Sequence, residues 1–220
     1  MSTKWSSPSM PQDVAELFDF LCAFIFAIHD KWEDFCGLCV PRDYQDAGEV
    51  NRVKRNISLL NSFAPDFFAS CQESIANDVI LALCRLLDPP KTLGQENVSL
   101  RNLAQCVERG TPPQHFTAIQ SAYNQLIAEG DAVRAYRNKR IGHNDLLLAR
   151  GSMALPTVTI NDITKVILGA ERLMSEISSY YKGNEISFRP VAPGKIGSKE
   201  LLERLWILLP AGQWQRPRME

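Results

Sequence analysis

The stretch Asp131-Ala-Val-Arg-Ala-Tyr-Arg-Asn-Lys-Arg-Ile-Gly-His-Asn-Asp145 is the most informative part of the chain. It carries four cations directly before a glycine and a histidine, namely Arg134, Arg137, Lys139 and Arg140. Upstream of it, mostly apolar residues recur at steps of four and three: Ile119, Tyr123, Leu126, Gly130 and Val133. This spacing is typical of one helix face packed against a neighbour. It predicts a long helix that begins near residue 112 and ends at the motif.

Arg137 occupies the next position on this face, where the pattern calls for an apolar residue. Arginine is seldom buried without a partner, because its charge cannot be neutralised and its desolvation is costly. A residue that conflicts with the local pattern in this way is expected at a functional site. Gly142 can end the helix in a left-handed conformation. The resulting turn would let His143 fold back toward the arginine.

Arg137 and His143 together suit phosphodiester chemistry. An imidazole that titrates near neutrality can move protons, and a fixed guanidinium can stabilise charge on phosphate oxygens. The simpler interpretation is a solvated basic helix end, because cations interact favourably with the dipole at a helix C-terminus. The spacing alone is a weak motif. The residues by themselves therefore leave both interpretations open.

The segment Arg137-Asn-Lys-Arg-Ile-Gly-His143 resembles the signature of the HEPN superfamily, an arginine and a histidine separated by four to six residues. A polar residue often follows that arginine, and Asn138 occupies this position. Residues 77–89, 97–103 and 159–163 resemble the AbiU-type, abortive-infection-related branch of the superfamily. The resemblance covers about residues 12–185.

The resemblance implies an all-α, HEPN-like bundle of long antiparallel helices. It also implies a metal-independent endoribonuclease of a phage-defence or toxin type, acting without a cofactor. In the implied mechanism, His143 is the general acid or base, Arg137 holds the phosphate, and Asn138 orients one of them. The cations expected to bind RNA are Arg134, Lys139 and Arg140.

A homodimer is expected, because one arginine and one histidine make a small active site and a symmetric dimer would place two motifs in one cleft. The helix stripe before Arg137 is the surface expected to form this contact. An antitoxin or another defence-system protein is a further expected partner.

Two other functions stay open. The first is a non-catalytic helical interaction module, in which Arg137 is a buried interface cation. The second is a HEPN partner of a nucleotidyltransferase. Asp145 stands where such partners carry a tyrosine, two residues after the histidine, and this weakens the second alternative.

The composition is that of an ordinary globular protein, with 45% hydrophobic and 22% charged residues among 220. The formal net charge of -1 means that RNA binding must depend on a local basic patch. Six scattered cysteines suit free thiols in a reducing compartment, so a cytoplasmic location is expected. Cys36 and Cys39 have metal-site spacing, but nothing completes a site, so no metal is expected.

The apolar run at residues 21–28 is too short to span a membrane, and no membrane association is expected. Three parts are predicted: a flexible N-terminus at 1–11, a HEPN-like helical domain at 12–185, and an extension at 186–220 with one short helix. Within the domain, Pro65 begins the predicted central core helix, which ends near Leu87 and carries Arg85 just off its apolar stripe. Residues 91–98 are predicted to be a loop, and Thr159 is predicted to open the last domain helix with a capping box.

Overall fold

The computed structural model describes residues 5–41, 44–141, 154, 156–183, 186–188 and 197–208, without the side chains of 114, 115 and 141. These residues are almost entirely helical, which confirms the all-α prediction. The helices are α1 (Gln12–Cys39), α2 (Ala47–Phe63), α3 (Pro65–Leu86), α4 (Leu100–Gly110), α5 (Pro113–Glu129), α6 (Asp131–Tyr136), α7 (Ile160–Lys182) and α8 (Ser198–Leu208). A π-helical turn, Arg137–Ile141, follows α6 directly. Two short strands, β1 (Lys91–Thr92) and β2 (Gln95–Glu96), pair antiparallel.

The chain divides into two compact units, each assembled from two separate parts. The first unit comprises Met1–His29 and Asn77–Pro190, and the second comprises Asp30–Ala76 and Val191–Glu220. The boundaries of the units fall inside α1 and α3. This division groups residues in space, whereas the predicted parts at 1–11, 12–185 and 186–220 are consecutive stretches of the chain. Those parts stay a prediction. The basic motif lies in the first unit.

The core of the first unit contains the predicted stripe, packed where α5 meets α7. Ile119, Leu126 and Val133 are at most 1% exposed. Burying a side chain of this size contributes about 1.5–3 kcal/mol. The stripe is therefore used inside the fold, and the expectation that it forms a dimer surface is wrong.

The helix predicted from residue 112 to the motif is divided at Gly130 into α5 and α6. The hydrogen bonds continue across the division, since Gly130 N donates to Leu126 O and Arg134 N donates to Gly130 O, both at 3.0 Å. A β-carbon on Gly130 would overlap Cδ1 of the buried Leu87. Glycine thus leaves room for the side chain of Leu87, the residue just past α3, at the α5–α6 junction.

The predicted core helix α3 is buried over its second half, at Val79, Ile80, Ala82, Leu83, Cys84 and Leu86. Its first half is mainly exposed or half-buried, and Phe68, Cys71 and Ile75 of the predicted stripe are half-buried. Arg85 is exposed. The helix is therefore most deeply buried in the first unit, while Phe68 packs against the apolar cluster of Leu38, Leu59, Leu60 and Leu202 in the second unit.

The predicted loop at 91–98 contains the β1–β2 hairpin. Leu93 and Gly94 form its turn at positive φ angles of 51° and 82°. Such angles match the twist of a two-residue hairpin. Leucine rarely adopts this conformation, which is why the local pattern gave no hairpin signal.

The N-terminal residues 5–10 make defined contacts in the first unit. Asp19 accepts hydrogen bonds from the backbone of Trp5 and Ser6 at 2.7 and 2.6 Å, and the Trp5 ring stacks on Phe26. Ser9 donates to Tyr181 O at 2.7 Å. These contacts do not measure motion, so the expected flexibility of residues 1–11 stays a prediction.

In the second unit, α2 and α8 share an apolar cluster formed by Leu38, Leu59, Leu60 and Leu202. Asp46 caps α2 by accepting from Gly48 N at 2.7 Å. Asp34 Oδ1 accepts from Ser198 N, the first residue of α8, at 2.9 Å. The short helix predicted in the C-terminal extension is thereby confirmed as an element, at Ser198–Leu208. No helix among the described residues is long and apolar enough to cross a membrane.

Gly130→Ala should destabilise the protein, although alanine is the better helix former by about 1 kcal/mol. The new methyl group must displace Leu87, and overpacking of this kind costs about 1–3 kcal/mol. The matched control is Gly110→Ala, where an added β-carbon meets no atom within 4 Å. That control should gain up to about 1 kcal/mol. Urea unfolding followed by circular dichroism measures both, and equal stabilisation by the two variants would contradict the close approach.

The predicted capping box at Thr159 is confirmed. It leads to a second prediction about the stability of the protein. Asp162 N donates to Thr159 Oγ1 at 3.2 Å, while Thr159 N donates to Asp162 Oδ2 at 2.9 Å. Thr159→Ala should cost about 1 kcal/mol at neutral pH. Thr157→Ala, which removes an exposed threonine just before the box, should cost little.

The cost of Thr159→Ala should also depend on pH. The hydrogen bonds from Thr159, first from its backbone and then from its hydroxyl, lower the pKa of Asp162 below its usual value. Since the folded-state pKa is below the unfolded one, this contribution is present above the unfolded pKa and is lost as the pH falls through the folded pKa. The difference between wild type and Thr159→Ala should therefore shrink below about pH 4. A constant difference in urea midpoints across this range would contradict it.

Candidate functional site

The basic motif lies on a change of helix type. Arg137 follows the last residue of α6 and is the first residue of the π turn. Helices of this type close hydrogen bonds over five residues rather than four, are rare, and often occur at functional sites. The wider turn shifts later residues around the axis, so Arg140 cannot be placed on the stripe by counting α-helical steps.

Arg137 is held at the edge of the first unit, with 32% of its side chain exposed. Its Nη2 atom lies 3.7 Å from Asp88 Oδ1, at the outer limit of an ion pair. Its Nε atom is buried and has no hydrogen-bond partner among the described residues. The described residues therefore satisfy the guanidinium only in part.

The thiol of Cys84 is the third group at this position. Cys84 is buried, and its sulfur donates to Val133 O across 3.8 Å. Burial raises the pKa of this thiol, while the hydrogen bond and charge of Arg137 act against the rise. Cys84 therefore presents a neutral thiol, not a thiolate, to the guanidinium.

Three neighbouring contacts connect the end of α3 to the segment that carries Arg137. Leu87 packs on Gly130, and Cys84 bonds to the backbone of Val133. Asp88 then faces Arg137. These contacts come from the last turn of α3 and the two residues that follow it, and together they place the end of α3 beside the segment that carries Arg137.

The predicted RNA-binding cations have different surroundings. Arg134 Nη2 donates to Asp131 Oδ1 at 2.7 Å and to Ile127 O at 3.3 Å. Lys139 is half-buried, and Asn138 and Arg140 are exposed. The structure thus brings these side chains to one short segment, while Arg134 is already engaged by a carboxylate.

His143 lies outside the described residues, so its predicted pairing with Arg137 stays a prediction. His29 is 14% exposed, and its Nε2 lies 3.3 Å from Glu171 Oε1. His29 is thus half-buried beside a carboxylate in the first unit. His115 falls in the first turn of α5, roughly 30 Å from Arg137 at 1.5 Å per residue.

Sequence reasoning did not find Asp88 and Cys84 as neighbours of Arg137. In the sequence, Asp88 stands directly before Pro89 and Pro90, and Cys84 is one of six scattered cysteines, so neither is marked as a neighbour of Arg137. Their spacing of four residues was only a weak local signal, because Cys84 is in α3 whereas Asp88 lies two residues past its end. Which partner they meet is decided by tertiary packing.

The described residues contain no group of three or more side chains suited to hold a metal ion. Cys36 and Cys39, which have metal-site spacing, are free cysteines. Burial raises the pKa of Cys39 to about 11. A raised pKa disfavours the thiolate needed for metal binding or redox chemistry.

The all-α fold is the one that the HEPN resemblance implies. A family model described as AbiU2, of the HEPN type, matches residues 11–200. The chain therefore belongs to the AbiU2 family of HEPN proteins. Comparisons with curated proteins and with solved structures found no match. Membership confirms the HEPN-like fold class; the activity, the homodimer and the roles of the site residues stay predictions.

Proposed function

We propose that this protein is a metal-independent endoribonuclease of a phage-defence or toxin type. Its RNA substrate would be cut by Arg137 and His143, with Asn138 as an orienting residue. Membership of a HEPN family supports this class of activity. The observation that carries the proposal is the incompletely satisfied guanidinium of Arg137.

A guanidinium offers five N–H donors in a planar fork, which fits the oxygens of a phosphate. The protein supplies Arg137 with one carboxylate at 3.7 Å and leaves the buried Nε without an acceptor among the described residues. A phosphate oxygen would provide the missing acceptor. Partial burial strengthens this attraction, because the effective dielectric constant is lower than in water.

In the proposed reaction, the 2′-oxygen of RNA forms a bond to the adjacent phosphorus, and the bond from phosphorus to the 5′-oxygen breaks. A base removes the 2′-OH proton and an acid protonates the leaving 5′-oxygen. His143 serves one of these roles, and Arg137 stabilises the charge that develops on the phosphate oxygens. The products are a 2′,3′-cyclic phosphate and a free 5′-OH.

We propose a homodimer as the active form, so that the second motif can supply the complementary acid or base. The contact surface must be one other than the buried α5–α6 stripe. Arg134, Lys139 and Arg140 are proposed to attract the RNA backbone next to the cleft. An antitoxin or other defence-system partner would restrain the activity in the cell, which we propose to be cytoplasmic.

The proposal is tested by incubating purified protein with mixed cellular RNA in the presence of a chelator. Wild type should cut and leave 2′,3′-cyclic phosphate ends. Arg137→Ala and His143→Ala should each lower the rate by about a hundredfold or more, the usual effect of losing a charge-stabilising group or a general acid or base. The matched controls are Arg85→Ala, an exposed arginine on α3, and His115→Ala at the start of α5; both should cut normally.

Absence of cleavage by wild type between about pH 6 and 8, where a histidine titrates, would refute the nuclease. Dimerisation should then be measured for wild type and Arg137→Ala. A dimer lost only in Arg137→Ala would identify Arg137 as an interface cation of a helical interaction module.

Asp131→Asn should strengthen RNA binding, because it releases Arg134 from its 2.7 Å ion pair. Each added phosphate contact increases the salt dependence of binding to single strands by about 0.7 in log–log slope. Binding can be measured by fluorescence anisotropy with labelled single-stranded RNA in the His143→Ala background, at several salt concentrations. Asp66→Asn, which removes an exposed carboxylate from the first turn of α3, is the control. If both variants give the same slope, Arg134 does not contact RNA.

A further inference from the structure

We infer that Asp88 is a positioning residue that holds Arg137 in the orientation needed for the transition state. The inference rests on the proposed nuclease function. It assigns a role to a carboxylate outside the arginine–histidine motif, on a different helix end.

Asp88 is built on a rigid support. Its backbone N–H donates to Arg85 O at 3.3 Å, which extends the last turn of α3. Pro89 and Pro90 follow, and their carbonyls accept from Asn97 Nδ2 and Asn97 N, each at 2.7 Å. Two prolines with fixed φ angles and two hydrogen bonds keep the carboxylate in place.

The backbone that precedes Arg137 is also held by defined contacts. Val133, one helical turn before Arg137, is fully buried and accepts the Cys84 hydrogen bond. Gly130 fits closely against Leu87, the residue before Asp88. These contacts hold the backbone that carries Asp88 next to the backbone that carries Arg137. The ion pair then favours one conformation of the flexible Arg137 side chain.

The contact at 3.7 Å orients Arg137 without saturating it. A close bidentate pair would occupy two donors of the guanidinium and exclude a phosphate. One distant oxygen leaves most donors available, and the neutral Cys84 thiol beside them adds no competing negative charge. This arrangement is suited to holding an arginine that must still bind an anion.

The Asp88 carboxylate also acts on the substrate itself, and this effect is unfavourable. Its negative charge lies next to the proposed phosphate position and weakens binding of RNA in the ground state. Removing it should therefore lower the rate of the chemical step while leaving the apparent affinity equal or higher. A residue that only stabilised the fold would not separate kcat from KM in this way.

The experiment measures kcat and KM for a short RNA with wild type, Asp88→Ala, Asp88→Asn and Asp88→Glu, after confirming the folded fraction by circular dichroism. Asp88→Ala should lower kcat by between about tenfold and about a hundredfold, the range for a misplaced catalytic group, without raising KM. Asp88→Asn should also lower kcat, because its neutral amide holds the guanidinium less firmly. Asp88→Glu restores the charge and should recover most of kcat. Asp66→Asn should behave as wild type.

The outcomes separate this inference from the nuclease proposal. If wild type cuts, Arg137→Ala does not, and Asp88→Ala cuts at the wild-type rate, Asp88 has no positioning role and the nuclease stands. A rise in KM with unchanged kcat would also overturn the inference, since it would make Asp88 a binding residue. If wild type does not cut, the proposed function fails and the inference fails with it.

Discussion

The site depends on the packing of Leu87, the residue just past α3, against the junction between α5 and α6. Leu87 can lie against the backbone there because residue 130 has no side chain. That approach lets the Cys84 thiol reach Val133 O and brings Asp88 to Arg137. Because Gly130 has no β-carbon, Leu87 can pack beside the segment that carries Arg137.

The guanidinium of Arg137 is partly paired with Asp88 and partly exposed to solvent. A fully paired guanidinium would be stable but unable to bind a phosphate, and a buried unpaired one would cost too much desolvation energy. Exposure of about a third of the side chain and one long ion pair lie between these limits. The π turn that starts at this residue places the following cations away from the α-helical register, so the motif is not a simple continuation of the core stripe.

The charge of the chain limits how it can attract a polyanion. With a formal net charge of -1, attraction must be local. Asp131 within the basic segment and Asp88 just past the end of α3 each face an arginine. Carboxylates beside cations reduce nonspecific affinity for a polyanion while they orient the cations, and half-exposed pairs of this type contribute little to stability. A protein of this kind would favour correct placement of RNA over tight binding.

The sequence alone determined the helices, the Thr159 capping box, the buried stripe through Leu126 and the unusual position of Arg137. These features depend on periodicity and on hydrogen bonds between near neighbours, which a linear pattern records. Tertiary structure decided the division at Gly130, the use of the stripe inside the fold, and the pairing of Arg137 with Asp88. The reason is physical: these features arise from contacts between residues tens of positions apart, and their cost or benefit depends on which surfaces the packed helices bring together.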